Sequence, residues 1–499
     1  MKSLLLFQTH DFDLDQKPLA FAGDLHDDLG LEGIFQAMAA GDDFFDDVIR
    51  KILLSATKSD VETILYRQEI LKDCLKNHAT VKAIYQLCVE AIERERKSYF
   101  GIFARSPGSM LHRSLEVLEM FAQKLKSLRA LSGVNANKFA APGFIRLFSQ
   151  LQSELDQDYF AEINSHLKTL QFRNGTLVSA ELGVAGKGKN YKLRIPGKHK
   201  QNWLHSIFSP RSPHFTLTLN PRDEAGARAL GELRDRGLNS SANALAQSND
   251  HILGFFKMLR AELAFYLGCV NLYQALGEFE VACSFPSPHP AKEPLWRCQG
   301  LCDPSLALSL KKPVVGNNVD ANGQMLVLIT GANRGGKSTF LRSAGLAQLM
   351  MQAGMFVAAN EFSASLCDGI FTHFKREEDR EMVSGKFDEE LARMDRLADN
   401  IGPSAMVLFN ESFAATNERE GAEIARQIVQ ALMENHARVF FVTHMFTLAN
   451  AFYEAGERQT LSLRAERADD GSRSFSLRVA KPLATSFGAD LYQQIWQDK

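Results

Sequence analysis

Apolar side chains recur at three- and four-residue spacing through the first 170 residues, and few glycines or prolines interrupt them. This spacing predicts amphipathic helices, and the stretch "KSDVETILYRQEILKDCLKNHATVKAIYQLCVEAIERERKSYF" is typical of it. The pattern changes over residues 171–220, where the short runs "TLVSAELGV", "NYKLRIP" and "HFTLTL" are separated by Gly, Pro, Asn and Ser. Such runs predict strands. We therefore expect a helical domain over residues 1–170 and a small β-rich insert over residues 171–220.

Helical spacing resumes over residues 223–277, where it predicts two long helices with a soft break. The segment "FPSPHPAKEP" at residues 285–294 is rich in proline and predicts a linker. From there to the C-terminus, short apolar strand patterns alternate with helical patterns, which is typical of an α/β domain. The sequence thus predicts long helices over residues 221–290 and an α/β domain over residues 291–499.

A glycine-rich loop follows the strand pattern "QMLVLIT" and precedes a helical pattern. The loop fits GxxxxGK[ST], in which backbone amides surround a phosphate, the lysine reaches the β- and γ-phosphates and the hydroxyl is a ligand for Mg²⁺. The alternative is a strand-to-helix turn of no special function, but the strand before it and the helix after it favour the motif. The sequence therefore predicts that ATP and Mg²⁺ bind at Gly331, Asn333, Gly335, Gly336, Lys337, Ser338 and Thr339.

Two later strand patterns end in residues suited to phosphoryl transfer. The run "AMVLFNES" ends in Asn410 and Glu411, where ATPases of this kind place an acid for Mg²⁺ and a second acid for water. We predict that Asn410 joins Ser338 at the Mg²⁺ ion and that Glu411 is the catalytic base. The run "RVFFVTH" ends in His444, which is suited to hydrogen bonding with the γ-phosphate. The alternatives are an exposed acid at a strand end and a structural histidine; the predicted catalytic residues are Lys337, Glu411 and His444.

The β-rich insert contains the most basic stretch of the chain, in which Glu181 is the one acid between residues 171 and 203. The whole chain has a net charge of −2, so any affinity for nucleic acid depends on a local patch of this kind. The alternative is a solvated hairpin whose charges keep an edge strand soluble. The predicted DNA contacts are Lys187, Lys189, Lys192, Arg194, Lys198 and Lys200.

Composition limits the remaining possibilities. A chain of 499 residues with 45% hydrophobic and 23% charged residues is typical of a globular protein of several domains. Its seven cysteines are scattered and do not predict a zinc site. The apolar run at the N-terminus is too short for a signal peptide, and no run approaches eighteen apolar residues. We expect a cytoplasmic protein.

Several of these motifs together resemble one family. The segments "ITGANRGGKSTFLR", "FTHFKREEDREMVSGKFDEELARM", "LFNESFAATNEREG", "FFVTH" and "SFGADLYQQIW" are similar, in order and spacing, to the ATPase-domain motifs of the MutS family of DNA mismatch-repair proteins. Upstream, "TILYRQEILKD" resembles the start of the family's helical core, and residues 223–277 resemble its lever helices. The resemblance is strong after residue 301 and weaker before residue 223.

The resemblance implies a helical core and lever with a clamp-like β insert, followed by a P-loop ATPase domain of the ABC superfamily. It further implies a homodimer in which each subunit's phosphate loop faces a signature loop of the other, here around Ser384 and Gly385. Residues 416–421 match a loop near that interface, and His444 matches the family's switch histidine. The basic insert takes the place of the family's DNA clamp.

The sequence also departs from the family pattern. The helical core begins by Leu29, which leaves no room for the family's mismatch-reading and connector domains. Asn410 replaces an aspartate and removes one negative charge near the Mg²⁺ ion. The C-terminus follows soon after "SFGADLYQQIWQDK", so neither a full dimerisation region nor a nuclease domain is expected.

The predicted function is therefore that of a MutS-related, DNA-binding ATPase. It would couple ATP binding and hydrolysis to clamping on duplex or branched DNA, in mismatch repair or recombination control, without reading mismatches directly. The alternative is an ATPase switch that does not bind DNA and remodels a protein or ribosomal partner.

Overall fold

The computed structural model describes residues 1–15, 21–98, 107–172, 175–186, 188–194, 218, 220, 222–376, 385–456, 458–467 and 472–484. The chain forms two compact units. The first comprises Met1–Ser3, Lys82–Lys138 and Ile145–Arg260, and the second comprises Leu4–Val81, Phe139–Phe144 and Ala261–Lys499. This grouping differs from the four segments predicted above, which stay a prediction about domains.

Helices dominate the N-terminal part of the chain, as the apolar spacing predicts. Several begin at an aspartate whose side chain accepts hydrogen bonds from the first free backbone N–H groups, as Asp42, Asp60 and Asp156 do. Among the described residues these helices are α1 (Ala22–Leu29), α2 (Leu31–Ala39), α3 (Asp43–Leu53), α4 (Val61–Lys76), α5 (His78–Ser98), α6 (Pro107–Asn135), α7 (Pro142–Glu154) and α8 (Gln157–Leu170).

The first unit also contains a β-hairpin and most of a long helix. Strands β1 (Leu177–Leu182) and β2 (Gly188–Arg194) pair antiparallel. Helix α9 runs without interruption from Glu224 to Glu278, so the predicted soft break is wrong. Gly237 lies within this helix and leaves space for the Val178 side chain of the hairpin, since an added Cβ would lie 2.8 Å from its methyl groups. The glycine therefore serves close packing and not a bend.

The described residues of the second unit form two sheets. The smaller has the strand order β3-β7-β4-β5 and the larger has the order β12-β11-β6-β10-β9-β8. In the larger sheet β11, β6, β10, β9 and β8 are parallel and β12 is antiparallel. The strands are β3 (Ser287–His289), β4 (Trp296–Leu301), β5 (Asn317–Asp320), β6 (Leu326–Gly331), β7 (Glu361–Ser365), β8 (Ile370–Phe374), β9 (Met406–Asn410), β10 (Arg438–Val442), β11 (Thr460–Arg467) and β12 (Arg473–Val479).

In the part of the chain that the structure describes, the helices that alternate with these strands are α10 (Pro304–Leu310), α11 (Lys337–Gln352), α12 (Lys386–Ala398), α13 (Glu418–Glu434) and α14 (Phe446–Ala455). The central strands β6, β9 and β10 are apolar and buried on both faces, as is usual for parallel strands. Trp296 is fully buried and packs edge-to-face on Phe340, Phe362 and Phe440, which joins the smaller sheet to the larger. Helices and several sheets confirm the predicted multidomain α/β class.

The predicted linker at residues 285–294 is wrong in part, because β3 lies within it. This strand pairs in parallel with β7, and the His289 ring shares a 2.9 Å hydrogen bond with the Ser363 hydroxyl. Pro288 is tolerated because β3 is the edge strand of its sheet, where a missing N–H leaves no neighbour unpaired. Proline content alone does not separate such an edge strand from a linker.

Two further observations concern the described residues only. Among them, no helix combines the length and the apolar character needed to cross a bilayer. Likewise, no group of three or more His, Cys, Asp and Glu side chains in this part of the chain is arranged to hold a metal ion. The seven cysteines are free thiols, and all but Cys283 are buried.

Two glycines of α9 provide a test of the hairpin contact. Gly231 has no atom within 4 Å of an added Cβ, so Gly231→Ala should stabilise the protein by roughly 0.5–1 kcal/mol. Gly237→Ala places its methyl group against Val178 and should lose that gain or destabilise the protein by about 1 kcal/mol or more. Urea unfolding measures both, and an equal gain in the two variants would contradict the contact.

Candidate functional site

The ends of three neighbouring parallel strands bring the predicted site residues together. Strand β10 lies between β6 and β9, and Val442 pairs with Ile329 on one side and with Asn410 on the other. The loop that begins at Gly331 follows β6, Glu411 follows β9 and His444 lies two residues after β10. Because the carboxyl ends of parallel strands share one edge, these groups converge there, which is where α/β sheets commonly bind ligands.

Residues 331–338, called the glycine loop below, adopt a backbone that needs its glycines. Gly331 has φ 106° and Gly336 has φ 88°, both in the left-handed region. A Cβ at Gly331 would lie 2.8 Å from the backbone N of Ala465. Gly336 is also the N-cap of α11 and offers no side chain to its free N–H groups. The loop and the helix start thus present backbone donors suited to an anion.

Lys337 is the buried cation of this loop. Its side chain is 5% exposed, and Nζ donates to the carbonyls of Gly331 at 3.1 Å and Ala332 at 3.0 Å. Burial lowers the pKa of Lys337, the charge of Glu411 opposes that effect and Arg473 adds to it. The ammonium group is therefore held at the loop by carbonyl oxygens that an anion with stronger charge can replace.

Polar side chains at the ends of β9 and β10 complete the site, together with Ser338 of the glycine loop. The Ser338 hydroxyl donates to Asn410 Oδ1 at 2.8 Å, and His444 Nδ1 lies 3.9 Å from Glu411 Oε1. Glu411 has φ 54°, a conformation that non-glycine residues rarely adopt, and its N–H donates to Val442 O. A pocket of about 490 Å³ is lined by Asn333, Arg334, Gly335, Gly336, Lys337, Ser338, Thr339, Glu411 and His444.

The remaining predicted site residues that the structure describes do not line this pocket. Gly331 begins the glycine loop, and Asn410 reaches the pocket through Ser338. Gly385 is the N-cap of α12 and is not part of the pocket wall. Ser384 lies outside the described residues. The roles of these residues stay predictions.

Sequence reasoning missed an apolar pocket of about 510 Å³ beside the glycine loop. It shares Arg334, Gly336 and Thr339 with the first pocket, and its other walls include Val314, Val315, Phe340 and Phe475. Phe475 is 48% exposed although it is a large aromatic residue. Asn317 of β5 holds β12, the strand that contains Phe475, in place, because Asn317 Oδ1 accepts from Leu477 N at 2.8 Å. No local signal identifies this pocket, because its walls come from segments about 140 residues apart in the chain.

Sequence reasoning also missed a buried histidine beside Glu411. The ring of His373, in β8, is fully buried and stacks on Phe413 at 5.2 Å. Its Nε2 lies 3.0 Å from Glu390 O of α12, and its Nδ1 lies 2.8 Å from the hydroxyl of Ser412, whose single proton can be donated either to Nδ1 or to His373 O. Burial, with Arg393 nearby, lowers the pKa of His373 to about 4. The ring is thus neutral at pH 7 and donates from Nε2, because a carbonyl can only accept.

The described part of the basic insert is the β1–β2 hairpin. Lys189, Lys192 and Arg194 are exposed on β2, whereas Tyr191 is half-buried with the Arg236 guanidinium of α9 over its ring at 5.8 Å. Arg194 Nε donates to the Ser179 hydroxyl at 2.9 Å. The predicted contacts Lys187, Lys198 and Lys200 lie outside the described residues. The DNA-binding role of this set stays a prediction.

Sequence comparisons place this arrangement in a known family. The family described as MutS domain V matches residues 327–494, which include the glycine loop, Glu411 and His444. The family described as MutS2 N-terminal domain matches residues 59–279, from α4 to α9. The chain belongs to the MutS family.

Individual relatives support the same conclusion over parts of their length. The chain is 28% identical over 249 residues to the DNA mismatch repair protein MutS of Chloroflexus aurantiacus, which covers 46% of this chain and 26% of that protein. It is 32% identical over 143 residues to MutS protein homolog 4 of Mus musculus, covering 29% and 15%. It is 24% identical over 380 residues to Endonuclease MutS2 of Streptococcus uberis, covering 75% and 46%. The chain thus spans less than half the length of each of these MutS-family relatives.

The buried ring of His373 predicts a pH dependence of stability. Its pKa falls from 6.5 to about 4 in the folded protein, so the unfolded chain binds the proton more readily. Stability is therefore full above pH 6.5 and falls as the pH drops toward 4, by up to about 3 kcal/mol. His373→Gln should be less stable at pH 7 but lose less stability over that range.

Urea unfolding between pH 7 and pH 4 measures this difference, with the exposed His112→Gln as the matched control. The control should follow the unaltered protein. A His373→Gln curve parallel to that of the unaltered protein would show that this ring does not titrate on unfolding.

Proposed function

We propose that this chain is an ATPase of the MutS family that binds and hydrolyses ATP at the glycine loop and uses the cycle to clamp DNA. The observation that carries the proposal is the convergence of Lys337, Ser338, Glu411 and His444 in one pocket at the sheet edge. These residues belong to the segment that matches MutS domain V.

The glycine loop would hold the phosphates. Its backbone N–H groups and the start of α11 supply donors, and Lys337 Nζ would exchange the Gly331 and Ala332 carbonyls for β- and γ-phosphate oxygens. The apolar pocket next to it would take the nucleobase, with Phe475 available for stacking and Val314 and Val315 for packing. The two pockets share residues, so one nucleotide can occupy both.

The residues at the strand ends fit a Mg²⁺ ion and a hydrolytic water. The oxygens of Ser338 and Asn410 are 2.8 Å apart, and oxygen is the donor that Mg²⁺ prefers, so these two residues would hold the ion. When bound, Mg²⁺ neutralises charge on the phosphates. Glu411 would accept a proton from the attacking water, and His444, 3.9 Å away, would hydrogen-bond the γ-phosphate.

The proposal includes an ABC-type homodimer. Gly385 begins α12 and is not part of its own subunit's pocket, which suits a signature loop, formed with Ser384, that acts on the partner subunit's ATP. In this arrangement residues 291–499 form the ATPase domain, residues 221–290 the lever, residues 1–170 the helical core and residues 171–220 the DNA clamp. Relatives named for mismatch repair and as an endonuclease support a role with DNA, in mismatch repair or recombination control.

Two substitutions test the ATPase. Lys337→Ala should weaken ATP binding by about tenfold or more, because it removes a charge-assisted contact to the phosphates. Glu411→Gln should keep ATP affinity and lower kcat by about 10²-fold to 10⁴-fold, because it removes the base. Fluorescent-nucleotide titration and phosphate release measure the two effects.

The control for Glu411 is Glu434→Gln at the exposed end of α13, which should hydrolyse ATP normally. Hydrolysis by Glu411→Gln at the unaltered rate would rule out the assigned base. Normal nucleotide affinity in Lys337→Ala would rule out the glycine loop as the phosphate site.

The hairpin is tested by salt dependence. Replacing Lys189, Lys192 and Arg194 with Gln should weaken DNA binding regardless of sequence. Each lost phosphate contact lowers the slope of log affinity against log salt by about 0.9, so three contacts lower it by about 2.7. Fluorescence anisotropy with labelled duplex and branched DNA measures the slope.

A triple Gln variant of exposed lysines elsewhere, Lys82, Lys168 and Lys257, matches the change in net charge. If the slope of log affinity against log salt falls by the same amount in both triple variants, the effect depends on total charge and the hairpin is not the clamp. If the unaltered protein binds neither DNA, the DNA part of the proposal fails while the ATPase part stands.

A further inference from the structure

A second cavity of the larger sheet lies at the edge opposite the glycine loop. It is lined by residues at or just before the first positions of three parallel strands: Met325 before β6, Met406 in β9 and Arg438 in β10. The glycine loop and Glu411 follow the last positions of β6 and β9, five or six residues further on, which is roughly 17–20 Å along a strand. The two sites therefore do not overlap.

This cavity has an apolar floor and a positively charged wall. Its volume is about 410 Å³, within the range of small-molecule pockets. Met325, Leu366 and Met406 supply apolar surface, and the polar lining includes Lys292, His436 and Arg438. Among the described residues that line the cavity there is no aspartate or glutamate.

Arg438 is the central cation of the wall, and the described residues do not neutralise it. Its Nη1 donates to Leu295 O at 2.7 Å, and its Nε is buried without an acceptor. Burial lowers the pKa of Arg438 to about 10, and the group that opposes this effect is the Cys367 thiol. Burial raises the pKa of Cys367 to about 12, so that thiol is uncharged at pH 7. A guanidinium group in this setting favours an incoming anion.

Two carboxylates lie next to lining residues, and neither is paired with Arg438 in the described part of the chain. Asp368 Oδ2 accepts from Ser404 N at 3.4 Å, and Glu293 Oε2 lies 4.0 Å from His289 Nδ1. Nη2 of Arg438 also has no acceptor among the described residues and, unlike Nε, it is not among the fully buried atoms, so it is the group that can donate to an oxyanion in the cavity.

We propose that this cavity, here called the Arg438 pocket, binds a small organic oxyanion, a carboxylate or a phosphate ester on an apolar body. Arg438 holds the oxyanion, the exposed Lys292 adds charge at the rim, and the methionines and Leu366 contact the apolar body. Inorganic phosphate lacks the apolar body and binds more weakly. The site is separate from the proposed ATP site, because its walls share no residue with the glycine-loop pocket.

Isothermal titration calorimetry of the full chain with benzoate, phenyl phosphate, inorganic phosphate and the neutral benzyl alcohol tests the proposal. At least one of the two aromatic anions should bind about tenfold tighter than benzyl alcohol and than inorganic phosphate, since a charge-assisted contact is worth about that factor. Binding of benzoate alone identifies a carboxylate site, and binding of phenyl phosphate alone identifies a phosphate ester site.

Three variants locate the site. Arg438→Met should lose the tenfold preference, Lys292→Glu at the exposed rim should weaken it without affecting folding, and Lys337→Ala in the glycine loop should retain it. If Arg438→Met does not fold, Lys292→Glu decides, with Lys82→Glu as its matched control. The proposal is overturned if the anion preference survives both in Lys292→Glu and in any folded Arg438→Met. It is also overturned if the preference disappears in Lys337→Ala, or if neither aromatic anion binds the unaltered protein more tightly than benzyl alcohol does.

Discussion

The pairing of β10 with both β6 and β9 is the constraint on which the site depends. Val442 pairs with Ile329 and with Asn410, so the last positions of the three strands are aligned. The strands are apolar and buried on both faces, and a shift of one residue in register would move polar residues from the strand ends into the core. Burial of the strands therefore fixes the spacing between the glycine loop, Glu411 and His444.

The same sheet has a buried cation at each edge, and their surroundings differ. Burial lowers the pKa of both Lys337 and Arg438. Lys337 has two carbonyl acceptors and the opposing charge of Glu411, whereas Arg438 has one carbonyl acceptor and an uncharged thiol. A buried charge is costly unless it is paired. Under our proposals both cations gain their missing partner from a ligand, phosphate at one edge and a small oxyanion at the other.

The sequence predicts the parts of this structure that are encoded locally. The glycine loop, its flanking strand and helix, and the polar ends of β9 and β10 follow from spacing, because each lies within one short segment. Long-range packing decides the rest. The packing of Val178 against Gly237 of α9 joins residues about 60 positions apart, and β3 depends on pairing with β7 about 75 residues away. The apolar pocket at Phe475 and the contacts of His373 likewise join distant segments that no local pattern connects.

His373 links Glu411, the candidate catalytic base, to α12, the helix whose N-cap is Gly385. Its ring joins Ser412, the residue after Glu411, to the Glu390 carbonyl of α12. Because the ring is fully buried, water cannot replace either hydrogen bond if α12 moves, and an unpaired polar group would remain. If α12 moves, the His373 ring and Ser412 must therefore move with it, or one of the two hydrogen bonds must break. In the proposed dimer, a contact of the partner subunit's nucleotide with Gly385 at the N-cap of α12 would thus reach Glu411 through a neutral histidine, and the positions of the two groups would change together.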